Sequence, residues 1–509
     1  MYLSFMLLVV VVKGQLNLNK NIKIYSYMKN AVLFFSLVLL FAGNGCRKQE
    51  QAEKPQKPNI VYILADDLGY GDLSCYGQTR FQTPNIDKMA SEGMLFTQHY
   101  AGCTVCAPSR SSLMTGQTTG HTPIRGNKEV EPEGQWPIPG STFTMAEMLK
   151  KAGYVTGGFG KWGLGYPGSE GDANMQGFDE FYGYNCQRMA HNYYPSHLWN
   201  NQKKIILQEN TGANLAEYAA DSIHQHALQF IEKNKDKPFF LYYPSTIPHA
   251  ELLLPEKYMK EYEGKLLPEK SYKGAEPGDP GFRNGSYGTQ PQGHAAFAAM
   301  VTLLDKQVGE ILAKLKELGL DDNTTVIFSS DNGPHLEGGA DPDYFNSNGP
   351  LKGYKRDLYE GGIREPMIAW WPGIIKPGIK SNHISAFWDV MPTIAELTGI
   401  KTPENIDGIS FLPTLLSESG QKEHEYLYWE FHEQGGRKAL RKGNWKLVQN
   451  NVLDPEKKTT ELYDLSTDIG EENNVAEAHP ELVKELVELI NSARTESDVF
   501  SFQSPTIIK

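Results

Sequence analysis

Three short apolar runs, each ending abruptly in polar or acidic residues, restrict this chain more than any other feature. They are Asn59-Ile60-Val61-Tyr62-Ile63-Leu64, running into Ala65-Asp66-Asp67; Phe239 to Tyr243, running into Pro244-Ser245-Thr246-Ile247-Pro248-His249; and Thr324 to Phe328, running into Ser329-Ser330-Asp331-Asn332-Gly333. A strand that is apolar at almost every position is buried on both faces, as in a parallel sheet covered by helices. Helical periodicity over Ala216 to Asn234 and Ala295 to Leu318 lies between these runs. Together they predict an α/β domain with a mostly parallel sheet flanked by helices. Ligands in such sheets sit beyond the carboxyl ends of the strands, where Asp66, Asp67, Asp331, Asn332 and His249 all fall.

With 509 residues, the chain is too long for a single compact core. Its texture changes near Glu425, which predicts a large domain over 59–424 and a smaller α+β subdomain over 425–509. In the latter, Tyr426 to Phe431, Lys438 to Leu440, Trp445 to Val448 and Glu461 to Leu465 read as short antiparallel strands. Pro480 then opens an amphipathic helix with Leu482, Val483, Leu486, Leu489 and Ile490 on its apolar side. Gly264 to Gly293 is rich in Gly, Pro and charge without periodicity, the texture of a lid or substrate-binding loop. A net charge of −12 repels nucleic acid, so none is expected as a partner. Any anionic substrate needs cations concentrated locally.

Residues 1–46 hold two apolar stretches, and the second has the order of an export signal: Met28-Lys29-Asn30, Ala31 to Ala42, then Gly43-Asn44-Gly45-Cys46. The cysteine after small residues resembles a bacterial lipoprotein signal, with Cys46 lipidated and the polar 47–58 segment as a tether. A plain cleaved signal and a single anchor are the alternatives. Each places the protein outside the cytoplasm, in the periplasm or on the outer membrane of a Gram-negative bacterium. The five cysteines are odd in number and fit no zinc framework.

One cysteine sits in a distinctive string, Cys106-Ala107-Pro108-Ser109-Arg110-Ser111-Ser112-Leu113-Met114-Thr115-Gly116. Pro108 suits the first turn of a helix, which sets Cys106 at a helix N-terminus, where an anion is favoured. Taken alone, the cysteine also fits an inert buried thiol. The whole string resembles the signature of the formylglycine-dependent sulfatases, of the alkaline-phosphatase-like superfamily: Cys or Ser, any residue, Pro, Ser, Arg, ending in Thr-Gly. Matching strings continue in the expected order to about Val475.

The resemblance implies that a maturation enzyme oxidises Cys106 to formylglycine before folding. The hydrated aldehyde then attacks sulfur through one hydroxyl, and deprotonation of the other expels sulfate. It assigns calcium to Asp66, Asp67, Asp331 and Asn332, with the modified Cys106 completing the site, and oxygen donors of this kind suit a calcium ion. Arg110 would hold the hydrated aldehyde. Lys161, in Gly160-Lys161-Trp162-Gly163, and Lys355, ahead of Tyr359-Glu360-Gly361-Gly362-Ile363-Arg364, would contact the sulfate, with Lys352 a competitor for the latter role. His249 would protonate the leaving alcohol.

One position departs from the family. Many members carry histidine where this chain has Gly163, and His121 or His191 are the candidate substitutes. His191 lies in Asn185-Cys186-Gln187-Arg188-Met189-Ala190-His191-Asn192-Tyr193-Tyr194, whose aromatic and hydrogen-bonding groups suit a sugar ring. The expected substrate is a sulfated oligosaccharide, a galactose or N-acetylgalactosamine sulfate. Two rivals remain: a phosphonate or phosphate monoester hydrolase using the same aldehyde, and an inactive glycan-binding lipoprotein.

Overall fold

The computed structural model describes residues 57–502. The export signal, Cys46 and nearly all of the tether lie outside them. Strand Asn59–Ala65 is buried at every position. Ile60, Tyr62 and Leu64 face one hydrophobic core, and Val61, Ile63 and Ala65 face another, because side chains alternate across a strand. Strands Thr324–Ser330 and Phe239–Pro244 flank it in parallel. The three apolar runs are therefore the centre of the sheet.

Among the described residues this sheet has eleven strands. Their order is Ile379–Ser381, Met94–Tyr100, Arg364–Trp370, Thr324–Ser330, Asn59–Ala65, Phe239–Pro244, Val155–Lys161, Glu180–Tyr184, His197–Asn200 and Lys203–Ile206, with Ser385–Ala386 beside Met94–Tyr100. Arg364–Trp370 runs antiparallel to both neighbours, so the sheet is mixed but mostly parallel about its centre. Helices Pro84–Glu92, Ala219–Lys233 and Gly293–Glu317 contribute to one core. Cys106–Thr115, Met145–Lys151 and Val390–Leu397 contribute to the other. None of the described helices is long and apolar enough to cross a membrane.

Val155–Lys161 is the least conspicuous central strand in the sequence, because Gly157, Gly158 and Gly160 dilute its apolar run. The structure explains the glycines. A Cβ on Gly157 would lie 2.7 Å from the Phe230 ring, and one on Gly160 would lie 1.9 Å from the Pro244 carbonyl. Neighbouring rings and backbone occupy the space that side chains would take.

The C-terminal sheet is antiparallel throughout: Leu427–Phe431, Arg437–Lys442, Trp445–Asn450 and Thr459–Asp464. Helix Pro480–Ser492 covers one face through Leu486 and Ile490. Trp429, Phe431, Ala439 and Val448 on the other face share a core with Tyr100 and Trp388 of the larger layer. Buried Glu360 joins the two sheets, accepting from Lys446 Nζ at 2.8 Å, Tyr100 Oη at 2.6 Å and Arg364 Nη1 at 3.2 Å.

Core position and surface position should differ sharply. Ile63→Ala, at 0% exposure, is expected to cost about 2–5 kcal/mol through lost burial and a cavity. Leu267→Ala, at 65% exposure, should stay within about 0.5 kcal/mol. Denaturant midpoints of the two variants check this.

Candidate active site

The parallel register sets the strand ends side by side. Asp331 N donates to the Ala65 carbonyl and Asp66 N to the Ile247 carbonyl, both at 3.1 Å. The turns that carry Asp66, Asp67, Asp331, Asn332 and His249 thus begin at one level. Asp67 takes a left-handed backbone, φ 63°, and its N–H donates to Asp331 Oδ1 at 3.1 Å.

Cys106 is the first residue of helix Cys106–Thr115, which is buried at all ten positions and ends at left-handed Gly116. A helix this polar tolerates burial because its hydroxyls are satisfied. Ser109 Oγ accepts from Gly102 N at 3.1 Å, Ser111 Oγ pairs with Thr122 Oγ1 at 2.6 Å, and Ser112 Oγ donates to the Gln117 carbonyl at 2.6 Å. One turn on from Cys106, Arg110 grips Asp331 Oδ2 through Nε at 3.0 Å and Nη2 at 2.7 Å, and donates Nη1 to the Lys161 carbonyl at 2.5 Å. Lys161 Nζ lies 2.7 Å from Asp66 Oδ2 and 3.3 Å from Cys106 Sγ. Asp66 Oδ1 lies 3.5 Å from the same sulfur.

Across the site, Lys355 Nζ donates to Asp67 Oδ2 at 2.7 Å and faces His249 Nε2 at 3.0 Å. His249 Nδ1 lies 2.5 Å from the Ala250 carbonyl. A carbonyl only accepts, so Nδ1 carries the proton and Nε2 is the acceptor for Lys355. Glycine contacts place Lys355: its N–H donates to Pro334 O at 2.9 Å, and Gly333 N donates to Gly362 O at 3.2 Å. A Cβ on Gly333 would lie 2.1 Å from the Gly361 carbonyl, so the two turns meet only because residue 333 lacks a side chain.

Three carboxylates and three cations are buried together here. Burial drives the Asp66 carboxyl upward, but Lys161, Arg110 and Lys355 outweigh it and hold it below its ordinary value. Asp331 is pushed up to about 6, by burial and then by Asp66. Burial, then Lys355 and Lys161, depress His249 well below the usual histidine value. Burial also pushes the Cys106 thiol upward. Asn332 Nδ2 donates to Asp67 Oδ1 at 2.7 Å, but its Oδ1 is buried with no partner among the described residues.

This geometry coincides with a family match. A family model described as Sulfatase matches residues 58–400, and one described as N-sulphoglucosamine sulphohydrolase, C-terminal, matches residues 353–496. The chain belongs to the sulfatase family. An N-acetylgalactosamine-6-O-sulfatase of Bacteroides thetaiotaomicron is 31% identical over 543 residues, covering 90% of this chain and 97% of that protein. An N-acetylgalactosamine-6-sulfatase of Rattus norvegicus is 35% identical over 387 residues, 72% of this chain and 67% of that protein. The solved structure of Ps i-CgsB in complex with k-i-k-neocarrahexaose superposes with a TM-score of 0.71 at 28% identity, covering 86% of this chain and 92% of that one.

The sulfatase structure brings Cys106, Arg110, Lys161, His249, Lys355, Asp66, Asp67, Asp331 and Asn332 into one connected network. His191 joins it by stacking on His249, ring centroids 5.0 Å apart. Two of the alternatives raised by the sequence lie elsewhere. Lys352 Nζ reaches the Glu471 carbonyl at 2.8 Å, against the C-terminal sheet. His121 is engaged by Asp407 at 2.9 Å.

Other neighbours were not singled out as individual residues by the sequence. The ring of Tyr287, in the loop from Gly264 to Gly293, lies 5.0 Å from that of His191 and 6.2 Å from that of His249. Glu251 anchors this loop by accepting from Gly288 N at 2.7 Å. His335 stacks on His249 at 5.6 Å. Of these, only His335 was within reach of a longer motif, since it ends Asp331-Asn332-Gly333-Pro334-His335.

The hydrogen bond that His121 donates to Asp407, outweighing the opposing burial, raises the His121 pKa. A raised folded value stabilises fully below the unfolded value and loses that contribution as pH rises through the folded one. His121→Gln should therefore lower the melting temperature more at pH 5.5 than at pH 9, measured against wild type at each pH. Its sulfatase turnover should stay at the wild-type level.

Proposed function

We propose that this sulfatase removes sulfate esters from a sulfated glycan of the galactose or N-acetylgalactosamine type, using formylglycine at Cys106 and calcium. The carrying observation is the buried contact of Cys106 with Lys161 and Asp66, inside a ring of cations otherwise costly to bury. Hard oxygens from Asp66, Asp67, Asp331 and Asn332 suit calcium, which takes several in a flexible shell. The unpartnered Asn332 Oδ1 and the convergence of Asp66 and Asp67 beside Cys106, ligand atoms within 4.8 Å of one another, fit such an ion. Bound there, it would supply positive charge to the sulfate and to the nucleophile.

Formylglycine supplies a nucleophilic oxygen, and Cys106 Sγ stands where that oxygen would lie. Lys161 and Lys355, on either side, hold sulfate oxygens as charge builds on them. Arg110 fixes Asp66 and Asp331 in place. His249, held by Lys355 through Nε2 at 3.0 Å, is the group that would donate a proton to the leaving sugar oxygen. At 2% exposure at the head of a buried helix, Cys106 is beyond the reach of another enzyme once folded. This supports modification by a formylglycine-generating enzyme before folding completes.

The substrate class is supported by the segment from Asn185 to Tyr194, whose His191 stacks on His249, by the activities named for the two N-acetylgalactosamine sulfatases and by the k-i-k-neocarrahexaose named for the solved relative. Export to the periplasm or outer membrane, with a lipid on Cys46, is supported by the Met28 to Cys46 pattern.

Mass spectrometry of the Cys106 peptide from the native host is expected to show a loss of about 18 Da, thiol to aldehyde. Cys106→Ala should lower turnover of N-acetylgalactosamine 6-sulfate by at least about 10³-fold. Chelation should abolish turnover and calcium restore it, while the matching phosphate ester is a poor substrate. An unmodified thiol in fully active native protein would falsify the formylglycine reading.

A further inference from the structure

The backbone of Gly163 is left-handed, φ 77°, and a Cβ there would lie 2.0 Å from Gln187 Nε2. The Gln187 amide therefore occupies the space that a side chain at 163 would take. Gln187 is 5% exposed, yet neither its Nε2 nor its Oε1 has a partner among the described residues. Asn185, two residues earlier and 2% exposed, leaves its Nδ2 unpaired as well. A buried polar group without a partner costs about 1–3 kcal/mol. Two amides in that condition, two residues apart in the chain, therefore point to something they bind.

Their place in the fold says what. Beyond Lys161, Trp162 N donates to the Tyr184 carbonyl at 2.8 Å and Gly163 N to the Asn185 carbonyl at 2.9 Å. The segment carrying both amides thus starts beside Lys161, whose Nζ is 3.3 Å from Cys106 Sγ. It ends at His191, stacked on His249. Gln187 lies between these two ends of the site, with its backbone fixed. Its N–H donates to Oε1 of buried Gln135 at 3.1 Å, and its carbonyl accepts from Ala190 N at 3.1 Å.

We infer that Gln187, supported by Asn185, is a sulfate-binding and positioning residue of this site. Its Nε2, lodged against Gly163, donates to an oxygen of the substrate's sulfate group. A sulfate ester presents only acceptors, so of the two amide ends Nε2 is the one that serves. The inference rests on the sulfatase reading and names a contact made by this chain's own residues.

The test is inorganic sulfate binding by the full-length protein, by calorimetry, alongside kcat and KM with 4-nitrophenyl sulfate. Gln187→Glu keeps the shape and turns a donor into a carboxylate facing the anion. Gln187→Ala removes the group. Sulfate affinity and kcat/KM are expected to fall about tenfold for Gln187→Ala, one lost hydrogen bond, and further for Gln187→Glu, with melting temperatures near wild type. If both variants hold sulfate as wild type does, or lose only melting temperature, the amide is structural and the inference is overturned. Wild-type protein that binds sulfate but cleaves no sulfate ester would count against the sulfatase reading, while the comparison of sulfate affinities still decides the role of Gln187.

Discussion

Everything about this site follows from the need to bury charge without leaving any of it alone. Asp66, Asp67 and Asp331 meet Arg110, Lys161 and Lys355 in a region with almost no access to water. Taking an ion out of water costs several kcal/mol even after the protein relaxes, and only close, well-directed partners repay it. The contacts of 2.7 Å from Lys161 to Asp66, Arg110 to Asp331 and Lys355 to Asp67 are of that kind. Removing any one partner leaves a carboxylate or a cation uncompensated. The balance is also what makes the site receptive: a bound divalent cation would tip it toward positive charge, as an arriving sulfate requires.

Such precision needs a rigid frame, and the parallel sheet supplies it. Adjacent strands in register deliver two acidic turns at one level, and the completely buried helix from Cys106 presents its sulfur to them. Glycines allow the remaining approach: Gly333 lets the turn bearing Asp331 settle against the turn bearing Lys355, and Gly361 and Gly362 let the latter fold tightly on Lys352 to Asp357. Glu360 extends the same logic outward. It binds Lys446 of the C-terminal sheet and Arg364 of the large sheet at once, so the smaller sheet braces the segment from which Lys355 projects.

Much of this was legible in the order of residues. The three apolar runs are the three central strands, and their polar ends carry Asp66, Asp67, Asp331, Asn332 and His249, because strand periodicity and strand-end chemistry are both local. The string from Cys106 to Gly116 was legible for the same reason. Strand Val155–Lys161 was harder, since its glycines answer to Phe230 and Pro244 far along the chain. Gln187 and Tyr287 lay in segments marked as substrate-facing but were not legible as individual site neighbours, and Glu251 was not legible at all, because each acquires its position only when a loop folds back. The resemblance favoured Lys355 over Lys352 by motif position, but only the fold shows why: three residues apart, Lys355 reaches Asp67 and Lys352 the Glu471 carbonyl.

By itself the sequence determined the kind of sheet, the strand ends that hold the acids, the cysteine at a helix start and the family to which the chain belongs. These depend on periodicity and on residues within a few positions of one another. The tertiary structure alone decided which lysine faces Asp67, that His121 is spent on Asp407, and that Gln187 fills the space above Gly163. Those outcomes depend on segments distant in sequence meeting in a close-packed interior, where a side chain takes the one space its neighbours leave.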